Sequence, residues 1–162
     1  MKNEKLLLVA LLLIIVALAA ACSLFAPNEE AAGSCELVIS CETILANEEA
    51  LKGLSADKKS LIPENGYIVA PISLDFYENE TVLQLVQRFA QKERLHIDVV
   101  DGSYITGIGN IYGGDCGELS GWLFFVNGES SMVGANEAML SDGDIIEFKY
   151  TCDMGADLGL EW

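Results

Sequence analysis

The sequence has few of the side chains on which nucleic-acid binding and histidine chemistry depend. Only 9 of its 162 residues are lysine or arginine, against 25 aspartate and glutamate, and the formal net charge is −16. Nucleic-acid binding rests largely on basic side chains that neutralise phosphates, so this charge argues against a nucleic-acid partner. It also argues against docking on anionic lipid through a basic patch. The single histidine excludes a metal site built from several histidines.

The first 21 residues have the pattern of a secretory leader. A basic start is followed by an unbroken apolar run, Leu6 to Ala21, of 16 residues. A spanning helix needs about 20 apolar residues, so the run is short for a permanent anchor and typical of a signal peptide. Its end, Leu18-Ala-Ala-Ala-Cys22, resembles the bacterial lipoprotein signal, in which the cysteine is lipidated and becomes the new N-terminus. Ordinary cleavage after Ala21 would instead leave Cys22 as a free thiol.

The remaining chain is predicted to be one domain on a tether. We expect residues 1–21 to be the signal peptide and 22–34, which are small, acidic and contain Pro27, to be a lipid-anchored flexible linker. The folded domain is predicted over 35–155, and 156–162 form an acidic tail. A lipid on Cys22 would place the domain outside the cytoplasm, held at the cell membrane.

The element pattern predicts an α+β fold with one main helix. Thr81 and Gln84 form a capping box before an apolar stripe, which predicts a helix over 81–94. Alternating side chains predict strands at 122–126 and 145–151, and the segment 102–121 is rich in glycine and is expected to be rich in turns. Several short strands without regular βαβ alternation favour a mixed or antiparallel sheet with the helix across one face.

Four cysteines remain after Cys22 is assigned to lipid, an even set suited to disulfides in an oxidising compartment. Cys35 and Cys41 on one straight strand lie about 20 Å apart, too far for a disulfide. We therefore expect at least one of them to bond Cys116 or Cys152, and so to staple the first strand to the C-terminal half. The four cysteines contain no C-x-x-C spacing, which disfavours a metal site.

No catalytic constellation is apparent, so we predict that the protein is not an enzyme. No Gly-x-Ser-x-Gly elbow surrounds a serine. His96 lies just after the predicted helix, where the helix dipole would stabilise a positively charged imidazolium. Asp142-Gly-Asp144 has the composition of an ordinary turn. Binding is favoured by aromatic side chains that crowd into a short glycine-flanked region, on both faces of a strand. These are Tyr104, Tyr112, Trp122, Phe124 and Phe125.

Several segments together resemble the transcobalamin-like C-terminal domain family of bacterial surface proteins. They are Gly117–Gly128 (GELSGWLFFVNG), Leu140–Tyr150 (LSDGDIIEFKY), Cys35–Cys41, Glu80–Leu83, Gly107–Tyr112 and Tyr150–Asp153. The resemblance implies a β-grasp-like fold, similar to the smaller domain of transcobalamin and intrinsic factor, which caps one face of cobalamin while a separate helical barrel holds the rest. This chain has no such barrel, so a corrinoid site here would need a partner protein or a second copy.

The resemblance makes cobalamin, or a similar planar small molecule, the candidate ligand. The implied contact residues are Tyr112, Trp122, Phe124 and Asn127, although Asn127 also has the position of a hairpin turn residue. The alternative is a cell-surface protein–protein interaction module that docks through the Trp122 region or an exposed sheet edge and has no small-molecule ligand. The sequence leaves both functions open.

Overall fold

The structure is a computed structural model that describes residues 30–161. The predicted signal peptide, the lipidation site Cys22 and most of the predicted linker lie outside the described residues.

Within residues 30–161, eight strands form two sheets. The strands are β1 (Gly33–Ser40), β2 (Tyr67–Phe76), β3 (Ile97–Val100), β4 (Tyr104–Ile108), β5 (Ile111–Tyr112), β6 (Gly121–Val126), β7 (Glu129–Ser130) and β8 (Ile145–Thr151). The larger sheet has the order β2-β1-β8-β6-β7, and the smaller has the order β3-β4-β5. In the larger sheet β1 and β8 are parallel, with Leu37 opposite Ile146 and Ile39 opposite Phe148, whereas the other pairs are antiparallel.

Four helices accompany the sheets in the described part of the chain: α1 (Glu42–Ala46), α2 (Glu48–Gly53), α3 (Ala56–Lys59) and α4 (Val82–Glu93). The predicted capping box starts α4, because Thr81 Oγ1 accepts from the Gln84 amide at 3.3 Å and Gln84 Oε1 accepts from the Thr81 amide at 2.9 Å. The helix ends at Arg94, which adopts a left-handed conformation with φ 58°. Its apolar face joins the core of the larger sheet, through Val82, Leu85, Val86 and Phe89.

The predicted α+β class is confirmed, with a mixed sheet and one main helix on one face. On that face Trp122 packs edge-to-face with Tyr150, and Phe124 stacks on Phe148. The opposite face carries Phe125, which is only 4% exposed because its ring lies under the ammonium of Lys149, 4.8 Å from the ring centroid.

Pro71 lies within β2 and does not interrupt it, because β2 is an edge strand and its pairing with β1 is irregular between Leu37 and Ile39, opposite Pro71. The glycine-rich segment 102–121 is rich in turns, and it also contains the strands β4 and β5. Gly109 and Asn110, with φ 60° and 64°, form the tight connection between these two strands.

The predicted disulfide staple is not confirmed, because all four cysteines of the described residues are free thiols. Cys35 and Cys41 are buried, whereas Cys116 and Cys152 are half-buried. Cys35 lies at the start of β1, near the charges of Asp144, Glu80 and Arg88. The other three cysteines gather beyond the far end of that strand, so β1 places Cys35 away from the thiols with which it was expected to pair.

The segment predicted as an acidic tail contains a short 3-10 helix, Ala156–Leu158. Asp157 accepts hydrogen bonds from the Thr151 hydroxyl and, at 2.7 Å, from the Cys152 amide. Leu160 packs close to Gly155 and Leu123, so this segment covers part of β6. Within residues 30–161, no helix combines the length and the apolar character needed to cross a membrane.

Candidate functional site

An aromatic pocket lies between β4, β6 and the segment that follows β7. Its cavity has a volume of about 190 Å³. The lining residues are apolar or carry only hydroxyls, and none of them is charged. They are Ser103, Tyr104, Ile105, Trp122, Leu123, Phe124, Ser130, Ser131, Val133, Gly134, Ala135 and Phe148.

Trp122 forms part of the pocket wall and is fixed by its own contacts. Its side chain is buried, and its indole N–H donates to the carbonyl of Ile111 at 2.8 Å. Its ring meets Tyr150 edge-to-face, with centroids 5.2 Å apart and planes at 78°. The Tyr150 hydroxyl in turn donates to the carbonyl of Tyr112 at 2.8 Å. Trp122 therefore offers a rigid apolar surface.

Phe124 is the more accessible aromatic of the wall. It is half-buried and stacks on Phe148, with centroids 5.5 Å apart and planes at 24°. Both rings line the cavity. Because side chains alternate along a strand, Trp122 and Phe124 point to the same side of β6 and present their rings together.

The rim of the pocket is apolar and exposed. Tyr104 is 57% exposed and Val133 is 49% exposed, and Met132 beside them is 87% exposed. The rim segment is held at both ends, because the Ser131 amide donates to Phe124 O at 3.0 Å and the Leu83 amide donates to Ala135 O at 2.8 Å. The exposed Met132 and Val133 therefore lie between two backbone hydrogen bonds that hold the rim segment in place.

Tyr112 lies outside the pocket, in a polar cluster on the smaller sheet. His96 Nε2 is 2.9 Å from Asp98 Oδ2 and 3.1 Å from the Tyr112 hydroxyl. A hydrogen bond between Tyr112 and Asp98 raises the pKa of Tyr112 and lowers that of Asp98. The Tyr112 ring is in contact with the Lys58 ammonium, at 4.6 Å from its centroid, and lies against Gly107. The hydroxyl and the ring of Tyr112 therefore already contact other groups of the protein.

Asn127 is also separate from the pocket. Its φ of 55° and that of Gly128, 82°, form the turn between β6 and β7. Its Nδ2 donates to Asp144 Oδ1 at 2.9 Å, and its Oδ1 accepts from the Ile145 amide at 2.9 Å. The amide thus fastens the turn to the start of β8. Of the four predicted contact residues, the structure brings Trp122 and Phe124 together and places Tyr112 and Asn127 elsewhere.

The residues from 130 to 135 had no sequence signal for a site, because they show no periodicity and no motif. Their place in the pocket comes from hydrogen bonds to β6 and to α4, and α4 is distant in sequence. Among residues 30–161, no three His, Cys, Asp or Glu side chains are grouped so that they could hold a metal ion.

Comparison with known proteins finds a family model that matches part of this chain. Residues 79–152 match the model of a domain of unknown function, DUF4430. No curated protein sequence matches. Two solved structures are similar: haptocorrin in complex with Cbi, at 12% identity and a TM-score of 0.47, and a proposed metal binding protein from Ruminococcus gnavus, at 14% and 0.41. The first match covers 76% of this chain and 26% of haptocorrin, and the second covers 74% and 96%.

Proposed function

We propose that this protein is a non-enzymatic binding protein of the cell envelope, anchored by a lipid on Cys22, and that its aromatic pocket binds an apolar part of a small ligand. A corrinoid is the specific ligand that we propose. The observation that carries the proposal is the uncharged aromatic pocket in a chain whose formal net charge is −16.

The pocket suits recognition of an apolar surface. Ligand sites are lined mainly by hydrophobic and aromatic side chains with a few polar groups that fix orientation. Here Trp122 and Phe124 supply the aromatic wall, and the hydroxyls of Ser103, Ser130 and Ser131 supply the polar groups. The burial of Trp122 and its hydrogen bond to Ile111 reduce the side-chain entropy lost on binding.

The size of the pocket limits what enters it. Its volume of about 190 Å³ is below the roughly 300–1,000 Å³ of sites that enclose a drug-sized ligand. A corrinoid macrocycle would therefore insert an edge or a peripheral group, and most of it would stay outside. The corrinoid proposal accordingly includes a second surface, from a partner protein or a second copy, that covers the remainder of the ligand.

The scarcity of acid–base groups in the pocket wall, where the Tyr104 phenol is the one titratable group, supports a binding role instead of catalysis. General acid–base catalysis needs a titratable group within hydrogen-bond reach of the reacting atoms. The wall, which lies wholly within residues 30–161, contains no imidazole, carboxylate, thiol or amine. The envelope location rests on the leader and on the residues that precede Cys22.

The ligand proposal is tested by equilibrium dialysis of the full chain, in mild detergent, against cyanocobalamin. We expect saturable binding below millimolar concentration. Val133→Asp introduces a charge at the rim and is expected to weaken binding at least about tenfold. Leu119→Asp is the matched control, because Leu119 is also 49% exposed but lies outside the pocket, and it is expected to bind as the natural protein does. Absence of binding near millimolar ligand, or equal loss in both variants, would overturn the corrinoid proposal.

The exposed rim favours a protein partner as the second candidate function. Tyr104, Met132 and Val133 form an apolar patch of the kind that marks interaction sites. A photo-reactive amino acid at position 132 would capture a surface protein from intact cells if this function is correct. The same group at position 119 is the control, and equal capture at both positions would argue against a partner at the rim.

A further inference from the structure

Three cysteines gather at one end of the larger sheet. Cys41 directly follows β1, Cys152 directly follows β8, and Cys116 lies in the loop between β5 and β6. The thiols of Cys116 and Cys152 are hydrogen-bonded to each other. Cys41 lies near enough for the charge of Cys116 to act on it.

Both members of the hydrogen-bonded pair have fixed backbones. The Cys116 amide donates to Ser120 Oγ at 3.1 Å, and the Tyr150 hydroxyl donates to the same oxygen at 3.0 Å. The Cys152 amide donates to Asp157 Oδ2 at 2.7 Å. Ser120 and Asp157 therefore fix the backbones of the two cysteines.

The pair is reached from solvent through Cys116. This residue lines an open groove of about 400 Å³ between α2 and the loop that carries it, together with Asn47, Ala50 and Asp115. Cys41 is fully buried and lines no part of this groove. Cys116 lines this groove and Cys152 does not, so Cys116 is the thiol that an oxidant in the groove reaches first.

We infer that Cys116 and Cys152 are the disulfide-forming pair of this protein, and that the bond forms by exchange at Cys116 with a disulfide oxidant that enters the groove. Cys35 and Cys41 remain thiols. This modification site is independent of the proposed ligand.

The exchange proceeds in two balanced steps. The Cys116 thiolate attacks one sulfur of the oxidant R–S–S–R, so that a Cys116–S–S–R bond forms and RS⁻ leaves. The Cys152 thiol then gives up its proton and attacks the Cys116 sulfur, so that the Cys116–Cys152 bond forms and the second RS⁻ leaves. The two protein thiols lose two electrons together, and the oxidant is reduced to two thiols.

The pairing is tested by peptide mapping of the full chain after incubation with oxidised glutathione. Free thiols are alkylated under denaturing conditions before digestion without reductant. We expect one cross-linked peptide that joins Cys116 to Cys152, with Cys35 and Cys41 alkylated. A bond from Cys41 or Cys35 to either of these residues, or four alkylated thiols after incubation, would overturn the inference.

The order of attack is tested with single variants. Cys152→Ser removes the resolving thiol, so Cys116 is expected to accumulate a stable mixed disulfide with glutathione. Cys116→Ser is expected to slow modification of Cys152 in the folded protein by about tenfold or more. Cys35→Ser is the control and is expected to leave both results unchanged. Faster modification of Cys152 than of Cys116 would contradict entry through Cys116, and circular dichroism establishes that each variant is folded.

Discussion

At the scale of single residues, Cys35 shows how burial fixes a protonation state. The side chain is only 3% exposed, at the start of β1. Burial raises the pKa of its thiol to about 11 from an ordinary value of 9.0, and the nearby carboxylates of Asp144 and Glu80 add to this. The folded protein therefore holds Cys35 as a neutral thiol at a pH where the unfolded chain ionises it.

The raised pKa of Cys35 predicts a loss of stability in alkali. Its contribution is fully present below pH 9 and decreases as the pH rises toward 11, because the unfolded state loses its proton first. Between pH 8 and pH 10, we expect the natural protein to lose about 1 kcal/mol more unfolding free energy than Cys35→Ala does. Urea unfolding under reducing conditions measures this difference. Equal pH dependence in the two proteins would show that Cys35 is not held neutral by the fold.

At the scale of elements, local sequence signals predicted the structures that depend on neighbouring residues. The capping box of Thr81 and Gln84 gave the start of α4, and side-chain alternation gave β6 and β8. Each of these patterns depends only on residues that belong to the same helix or strand.

Elements that depend on pairing with another strand were not predictable in the same way. Glycine and asparagine lie between the short strands β4 and β5, so the local sequence indicates a turn. The two strands form because β4 pairs with both β5 and β3. The candidate site shows the same limit. Trp122 and Phe124 share a strand face and were predicted together, whereas the rim at Val133 depends on hydrogen bonds to Phe124 and Leu83.

The capping box of α4 provides a prediction with a matched control. Thr81→Ala removes the side-chain acceptor for the Gln84 amide and is expected to lower the unfolding free energy by about 1 kcal/mol. Gln84→Ala removes the reciprocal hydrogen bond and is expected to have a smaller effect in the same direction. Gln87 is also exposed on α4 but has no part in the cap, so Gln87→Ala is expected to change stability by less than about 0.5 kcal/mol. Chemical denaturation measures the unfolding free energy of the three variants. Equal losses in Gln84→Ala and Gln87→Ala would contradict a stabilising role for the Gln84 side chain in the cap.

At the scale of the whole molecule, negative charge exceeds positive charge by a wide margin. The chain has 25 acidic and 9 basic residues. Some of these charges are paired: Arg88 binds Glu80 at 2.8 Å, and Lys58 binds Asp115 at 2.7 Å. The remaining carboxylates repel one another more strongly in the folded protein than in the expanded unfolded chain.

This repulsion predicts that salt stabilises the protein. Raising NaCl from low to near-physiological concentration shortens the screening length to about 8 Å, so we expect the melting temperature to rise by about 2–5 °C. KCl is expected to act equally. Calcium chloride at matched ionic strength distinguishes screening from specific binding, since a much larger rise with calcium would indicate a cation site. A fall in melting temperature with NaCl would contradict net repulsion.

The parallel pairing of β1 with β8 joins the first strand of the domain to the last. Until β8 has been synthesised, the larger sheet lacks its central strand, and β1 lacks the neighbour on one of its two sides. For the export that we propose, this arrangement delays formation of a rigid folded body, which could not pass through a narrow membrane pore. The timing of folding is thereby coupled to the emergence of the last strand.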